Sequence, residues 1–505
     1  MMHSVLPDPV ATERFAETIA GYVRPGDIIA LYGDLGAGKT SFARALIRAV
    51  SANPGLVVPS PTFSLLQTYD EADACRIVHV DFYRLSEPDD ALELGLDDLA
   101  LASAILAEWP DRGVLPDTGS RLDITFSSHG SGRCAELNVI GDAADWAARI
   151  TRALECRDFL DRAGWDDARR ARLQGDASTR RYERLVRDDR KAILMDAPAR
   201  PDPGQPGAPA YSRIVHLAED CKPFVAIADG LRAQGLAAPE VLAADLERGL
   251  LLIEDLGVDG PIVDDAPVAE RYLTAARVLA HLHAANLPDT LPLRDGTTYR
   301  LPSYDTDVMI TEARLLIEWY APERLDGALP DEAVDAFDAA VRRMVAPLAA
   351  ADASRSWVLR DVHSPNLIWR GDKSGLDRIG LIDFQDALIG PPVYDLASLA
   401  YDARIDMPRE LSLAIIDAYE ETGRAEGLTI DRDRLDADLA RMAAQRNAKI
   451  LGIFVRLARR DGKHGYLTHL SHVTRYFYDA LNHPACADLA SWCARWLPRD
   501  RQAAA

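Results

Sequence analysis

The sequence predicts two unlike scaffolds in one chain, an α/β domain on a mostly parallel sheet followed by a two-lobed α+β domain. Three observations carry that expectation. The apolar run Asp27–Tyr32 leads directly into the glycine-rich loop Gly33-Asp34-Leu35-Gly36-Ala37-Gly38-Lys39-Thr40. Far downstream, Leu359-Arg360-Asp361-Val362-His363-Ser364-Pro365-Asn366 and Leu381-Ile382-Asp383-Phe384 place two acids and an amide around a short hairpin. At 505 residues the chain also exceeds a single hydrophobic core, because cores stop growing at about 250–300 residues.

The first part alternates strand-like runs, Ile28–Tyr32, Ile77–Val80, Ala104–Ala107, Leu122–Phe126 and Ala135–Val139, with helical patterns such as Ser41–Val50. That alternation is the pattern of an α/β sheet. Ser127–Arg133 reads as a hairpin loop between the last two strands. A helical stretch begins near Ala143 and continues through Arg157 and Leu160, so the domain boundary is soft, around residues 150–156. The second part opens with Gly175-Asp176-Ala177-Ser178-Thr179-Arg180-Arg181-Tyr182 and strands at Arg181–Arg187 and Lys191–Asp196. A Pro/Gly-rich loop (Pro198–Pro209), a helical stretch around Ile214–Gly235 and the apolar strand Gly249–Leu256, the hinge between lobes, follow. From Val268 the pattern is mostly helical, interrupted by the hairpin of strand Leu367–Arg370, turn Gly371–Gly375 and strand Arg378–Ile382. The expected domains are residues 1–152, 153–256 and 257–505.

Composition narrows the class. A hydrophobic content of 48% suits a globular protein with large cores, and no apolar stretch approaches the roughly 18 residues of a membrane span. The start has neither the basic nor the apolar region of a secretory leader. Six cysteines without a CxxC pair read as reduced thiols, so the expected compartment is the cytoplasm. The net charge of −22 divides evenly: residues 1–150 hold 11 basic and 22 acidic residues, giving −11, which leaves −11 for the remainder. Neither half is suited to grip a nucleic-acid backbone directly, and any RNA role runs through a partner protein.

The glycine-rich loop between a strand and a helix is a P-loop, in which backbone N–H groups converge on phosphate oxygens at a helix start. Gly33, Gly36 and Gly38 supply the turn, Lys39 reaches the β- and γ-phosphates of ATP, and the Thr40 hydroxyl faces Mg²⁺. Lys39 is the only lysine in the first 150 residues of an arginine-rich chain. Asp81, ending Ile77-Val78-His79-Val80, fits a Walker B acid for Mg²⁺. Glu108 ends another apolar strand and is a catalytic candidate that polarises water or senses the γ-phosphate; its alternative is a rim carboxylate beside Trp109. In the second part Asp361 fits the residue that orients and deprotonates an attacking hydroxyl, while Asn366 and Asp383 hold Mg²⁺ on ATP. His281 and His283 read as packing residues. Arg360 suits either a substrate carboxylate or an ion pair within the lobe.

Two resemblances sharpen these readings. Val58-Pro59-Ser60-Pro61-Thr62-Phe63, His79-Val80-Asp81-Phe82-Tyr83-Arg84-Leu85 and Glu108-Trp109-Pro110, in this order, resemble the TsaE-type ATPases of tRNA threonylcarbamoyladenosine biosynthesis over roughly residues 10–150. The resemblance implies an ATPase that supports the threonylcarbamoyl-transferase complex acting on tRNA adenosine 37. It also implies a switch at Thr62 near the γ-phosphate and Mg²⁺. The second part, over about residues 155–480, resembles the aminoglycoside/choline-kinase-like phosphotransferases. Gly175–Tyr182, Leu194-Met195-Asp196-Ala197-Pro198, Leu359–Leu367, Ile382–Ala387 and Gln445-Arg446-Asn447 look, more narrowly, like the cell-wall-recycling amino-sugar kinases. The expected fold is thus an α/β P-loop NTPase domain followed by an α+β protein-kinase-like domain. The expected reaction is phosphorylation of the anomeric hydroxyl of N-acetylmuramate or N-acetylglucosamine. Another small-alcohol kinase (aminoglycoside, choline or homoserine) and a nucleotide-controlled interaction module in the first half are the alternatives. Where the broader phosphotransferases use a strand lysine on the ATP phosphates, this chain reads Ala192-Ile193-Leu194-Met195, which makes Arg180 or Arg181 the candidate substitute.

Overall fold

The chain folds as two units, Met1–Asp196 and Ala197–Ala505. The computed structural model describes residues 2–70, 75–141, 144–173, 180–200, 210–325, 327–350 and 352–499.

In the first unit a seven-stranded sheet has the order β1-β7-β6-β2-β5-β4-β3. Its strands are β1 (Met2–Leu6), β2 (Ile28–Tyr32), β3 (Leu66–Tyr69), β4 (Ile77–Asp81), β5 (Ala104–Glu108), β6 (Ser120–His129) and β7 (Gly132–Gly141). β2 runs parallel to β5 and β6, and β4 parallel to β5, whereas β1, β7 and β3 pair antiparallel with their neighbours. The central strands β4 and β5 are buried along their whole length. That is why they read as mainly apolar runs, interrupted in β4 only by His79 before its terminal acid, whereas β6 alternates, burying Leu122, Ile124 and Phe126. Helices α1 (Pro9–Ala20) and α2 (Lys39–Val50) contribute Phe15 and Phe42 to one core, where the Phe42 ring lies 5.7 Å from Phe15 and 5.4 Å from Phe126. Ile28, Val80, Phe82 and Ile105 belong to a second core, with Leu96 from the short helix α3 (Leu96–Ala100). The sequence reading did not assign β1, α1 or β3. For α1 the signal was present: Asp8 caps it, accepting from the Ala11 N–H at 2.8 Å, and Pro9 opens it.

Helix α4 (Ala144–Arg162) contains neither Gly nor Pro and runs unbroken past residue 152. Its Trp146 and Ile150 join the sheet's core, and its Cys156, Phe159 and Leu160 are also buried. It leads into three antiparallel strands, β8 (Arg169–Leu173), β9 (Arg181–Arg187) and β10 (Arg190–Asp196).

A buried polar cluster ties these strands to the P-loop domain. Asp196 accepts from Arg152 through Nε at 2.8 Å and Nη2 at 2.7 Å, and from the Tyr22 hydroxyl at 3.1 Å. The same hydroxyl lies 3.3 Å from Cys156 Sγ, whose thiol is pushed up to about 12, chiefly by burial. Arg181 stacks over the Tyr22 ring at 4.3 Å and donates to the Gly21 carbonyl at 2.9 Å. Arg149 donates to the Tyr22 carbonyl and forms a two-pronged pair with Asp27 at 2.7 and 2.8 Å. Each buried charge therefore has a partner, as desolvation demands.

The second unit begins with the helices Tyr211–Ile214 and Lys222–Ala233 and the antiparallel pair Val241–Asp245 and Leu250–Glu254. The hinge expected at Gly249–Leu256 contains the second of those strands. The remainder is largely helical, centred on the 30-residue helix Arg432–Asp461. That helix passes against Leu315 at Gly452, where any Cβ would sit 2.1 Å from the Leu315 carbonyl oxygen. The expected hairpin is present as Leu367–Trp369 paired with Ile379–Leu381. Among the described residues no helix is long and apolar enough to cross a membrane.

The Asp196 cluster sets a stability test. Asp196→Ala removes the acceptor that Arg152 reaches through two nitrogens and that Tyr22 also uses, while Arg152 keeps Glu155 at 3.0 Å, so the loss should lie below the roughly 3–5 kcal/mol of stripping a buried charge of its only partner. Thermal or urea unfolding should show a clear loss of about 1–3 kcal/mol, whereas the apolar pair Arg152→Met/Asp196→Leu should recover most of it.

Candidate active sites

The P-loop site stands at the C-terminal ends of β2, β4 and β5. Gly33, Gly36 and Gly38 have φ of +127°, +80° and +110°, the left-handed region that a side chain disfavours. Gly33 is further constrained by close approach, since a Cβ there would lie 2.4 Å from the Phe126 carbonyl oxygen. Lys39 is buried at the start of α2, donates to the Gly33 carbonyl at 2.5 Å and the Asp34 carbonyl at 3.0 Å, and sits 3.6 Å from the centre of the Trp109 ring. Burial pushes its pKa down, against the opposing pull of Glu108, Asp81 and Asp34.

The parallel register sets Asp81 beside Glu108. Glu108 is 1% exposed; one oxygen accepts from the Thr40 hydroxyl at 2.7 Å, and the other lies 3.1 Å from His79 Nε2. Asp81 accepts from the Tyr83 N–H and the Ser60 hydroxyl, each at 3.0 Å, and Ser60 accepts from Thr62 at 3.1 Å. The structure thus sets two hydrogen-bonded groups side by side, Thr40–Glu108–His79 and Asp81–Ser60–Thr62, with Lys39 close enough to feel the charge of both acids. His79 and Ser60 were not assigned roles from sequence. A histidine inside the buried run Ile77-Val78-His79-Val80 was the available signal, since a buried polar group needs a partner. The hydroxyl of Thr40 and the carboxylate of Asp81 are hard oxygen donors of the kind that Mg²⁺ takes together with phosphates.

In the second unit, Asp361, Asn366 and Asp383 converge around the hairpin. Asn366 Nδ2 donates to the Asp361 carbonyl at 3.0 Å and reaches Asp383 Oδ2 at 3.4 Å, which leaves its amide oxygen as a donor atom for a cation. Gln385 Nε2 holds Asp383 Oδ1 at 2.8 Å, and the Ile382 N–H donates to the Asn366 carbonyl at 3.1 Å. An amide oxygen beside a carboxylate again suits Mg²⁺. Arg360 and Asp383 adopt left-handed φ of +70° and +59°, conformations that surrounding structure must impose.

Buried acids hold the loop that contains Arg360. Asp395 accepts from the N–H groups of Leu359 and Arg360 at 2.7 and 2.9 Å, and Asp402 accepts from the Ser364 N–H at 2.7 Å and the Tyr272 hydroxyl at 2.9 Å. Arg360 is buried, donates to the Val215 carbonyl at 2.9 Å and pairs with Glu312. Of its two readings, the ion pair within the unit is the one found. Lys449 also reaches Glu312, at 2.8 Å. Burial alone would raise the Glu312 carboxyl, but Lys449 and Arg360 outweigh it and hold the group at about 2. Tyr304 donates to Glu312 at 2.6 Å, and Gln445 donates to the Met309 carbonyl at 3.0 Å, which places the first residue of Gln445-Arg446-Asn447 in this network. His283 lies 2.9 Å from the Tyr419 hydroxyl, and His281 lies 2.7 Å from Glu426. The lone carboxylates in apolar surroundings, such as Asp395 in Val393-Tyr394-Asp395-Leu396, were the overlooked signal.

Arg181, a candidate phosphate cation, has its guanidinium on Tyr22 and the Gly21 carbonyl, so contact with a nucleotide requires it to leave both. Arg180 precedes β9, and the Gly175–Thr179 part of its motif lies outside the described residues.

Comparison with known proteins matches each region separately. Residues 169–436 match the model of the phosphotransferase enzyme family, and residues 6–135 match that of the threonylcarbamoyl adenosine biosynthesis protein TsaE. An N-acetylmuramate/N-acetylglucosamine kinase of Caulobacter vibrioides is 37% identical over 358 residues, covering 67% of this chain and 95% of that protein. A TsaE protein of Rickettsia conorii is 42% identical over 100 residues, covering 20% of this chain and 56% of its own length. One from Rickettsia bellii is 38% identical over 108 residues, covering 21% of this chain and 74% of its own length. The chain belongs to the phosphotransferase enzyme family and, through its first part, to the TsaE family.

The Glu312 group sets a pH test. Its folded pKa lies below the ordinary value of 4.5, so its contribution is complete above that value and is lost as pH falls toward about 2. Acid unfolding followed by circular dichroism should lose stability across that window. Glu312→Gln should be less stable than wild type at pH 7 and show a flatter acid limb.

Proposed function

We propose, from membership of these two families, that the chain is bifunctional. Residues 1–152 act as a Mg-ATPase that supports threonylcarbamoylation of tRNA adenosine 37 through partner subunits. Residues 153–256 and 257–505, as the two lobes of a kinase, phosphorylate the anomeric hydroxyl of N-acetylmuramate or N-acetylglucosamine. Both activities use ATP with Mg²⁺, and the acidic charge of the first part suits tRNA contact through a complex, in the cytoplasm.

The observation that carries the ATPase reading is Glu108, held between Thr40 and His79. In this reading Lys39 leaves the Gly33 and Asp34 carbonyls for the phosphates, Thr40 and Asp81 hold Mg²⁺, and Glu108 orients the attacking water. Thr62, joined to Asp81 through Ser60, senses the γ-phosphate. Lys39→Ala should abolish ATP hydrolysis and leave sugar phosphorylation near the wild-type rate. Parallel loss of both would show that the two sites are not independent.

The observation that carries the kinase reading is the Asn366 amide, which joins the Asp361 backbone to Asp383. Mg²⁺, when bound by Asn366 and Asp383, neutralises charge on the ATP phosphates. Asp361 orients the sugar hydroxyl and accepts its proton as the bond to phosphorus forms. An anomeric hydroxyl is more acidic than other ring hydroxyls, so a carboxylate suffices as its base. Arg180 is the proposed phosphate cation, with Arg181 as its alternate.

Asp361→Asn should lower turnover about 10²-fold or more while Mg-ATP still binds. Phosphorus–carbon coupling in the wild-type product should place phosphate on C1. A 6-phosphate, or turnover only with non-sugar alcohols, would leave a phosphotransferase of another specificity.

A further inference from the structure

Lys449 and Arg456 stand about two turns apart on the helix Arg432–Asp461, so both project from one face of it. Lys449 belongs to the network beside Asp361. It reaches Glu312 at 2.8 Å and the Tyr394 hydroxyl at 3.1 Å, and Glu312 pairs in turn with Arg360, the chain neighbour of Asp361. Burial opposes the Lys449 charge, but Glu312 and Tyr394 outweigh it and raise the pKa, and the charge of Asp361 reaches the same ammonium.

Arg456 is placed differently. It is half-buried, with its guanidinium 5.5 Å from the centre of the Tyr211 ring. Among the described residues it makes no hydrogen bond or ion pair, and its Nε is buried without a partner. Burial lowers its pKa, and the acids that bear on it, Asp461 and Glu318, are not close enough to pair. Burial also pushes the Tyr211 hydroxyl up to about 12, so it stays a neutral donor; Glu312, Lys449, Arg360 and Arg456 all act on it. Tyr211 thus joins the Arg456 end of the helix face to the network around Glu312.

A partly desolvated guanidinium with a free edge is suited to a carboxylate. Its planar fork matches the two oxygens through parallel hydrogen bonds, and an aromatic face beside it limits its rotamers. In the proposed kinase, Asn366 and Asp383 serve the phosphates, whereas the Asp361 side serves the sugar. An anion met on that side is a substituent of the sugar itself. N-acetylmuramate carries one, the carboxylate of its lactyl ether, where N-acetylglucosamine has a plain hydroxyl.

We propose that Arg456, backed by Tyr211, binds the lactyl carboxylate of N-acetylmuramate and so sets the preference between the two sugars. The inference rests on the kinase reading above and moves the carboxylate contact from Arg360, which Glu312 occupies, to Arg456. The carboxylate is remote from the bond being made. Its contact is therefore equal in ground and transition states and lowers KM without raising kcat.

The test is initial-rate kinetics of the full chain with N-acetylmuramate, its lactyl methyl ester and N-acetylglucosamine. Wild type should prefer the acid to the ester about tenfold or more in kcat/KM, the scale of one charge-assisted hydrogen bond. In Arg456→Ala that ratio should fall to within about twofold of unity, with the loss appearing as a higher KM for the acid. Arg456→Lys, which keeps the charge but not the fork, should give an intermediate ratio. A general structural loss does not move the ratio, because acid and ester meet the same site. An unchanged ratio in a folded Arg456→Ala variant would overturn the inference. Equal losses on all three sugars with a lowered melting temperature would overturn it too, since they mark packing on Tyr211 alone. If wild type phosphorylates N-acetylglucosamine but not N-acetylmuramate, only the Arg456 assignment falls; if it phosphorylates none of the three, the kinase reading falls with it.

Discussion

A carboxylate removed from water must be surrounded by cations or donors, and that constraint organises both units. An unpaired buried charge costs several kcal/mol even after relaxation. In the first unit Asp196 gathers Arg152 and Tyr22, and Asp27 gathers Arg149. In the second, Glu312 gathers Arg360, Lys449 and Tyr304. Each acid draws groups from distant parts of the sequence, so satisfying it fixes the relation between elements that apolar packing alone leaves free to slide.

The same constraint orients the candidate catalytic groups. Asp395 and Asp402 take up backbone N–H groups on either side of Asp361, holding the strained loop in a conformation that its residues would not choose alone. Glu108 is likewise anchored by Thr40 and His79. In both candidate sites a carboxylate is oriented by hydrogen bonds already in place, which is how a folded protein meets the cost of orientation in advance.

Helix α4 extends this logic along the chain. Its early residues Trp146 and Ile150 belong to the core of the P-loop domain, and its Arg152 pairs with the end of β10. Without a glycine or proline to bend it, the helix transmits one rigid direction from the sheet to the strands that begin the phosphotransferase match.

Much of this was legible in the residues themselves. Strand–loop–helix punctuation around Gly33–Thr40, the acids ending Ile77–Asp81 and Ala104–Glu108, and the Asn366–Asp383 spacing across a hairpin are local patterns, and local patterns follow from backbone geometry and side-chain period. Sequence by itself therefore determined the two scaffolds and where the candidate acids, lysine and amide of their sites lie along them. Tertiary structure alone decided the partners: that Arg360 turns inward to Glu312, that Arg181 lies on Tyr22, and that His79 supports Glu108. A long cationic side chain has many rotamers and several acids within reach. Which it meets depends on the registers and crossings that bring remote segments together, information that no short window of sequence contains.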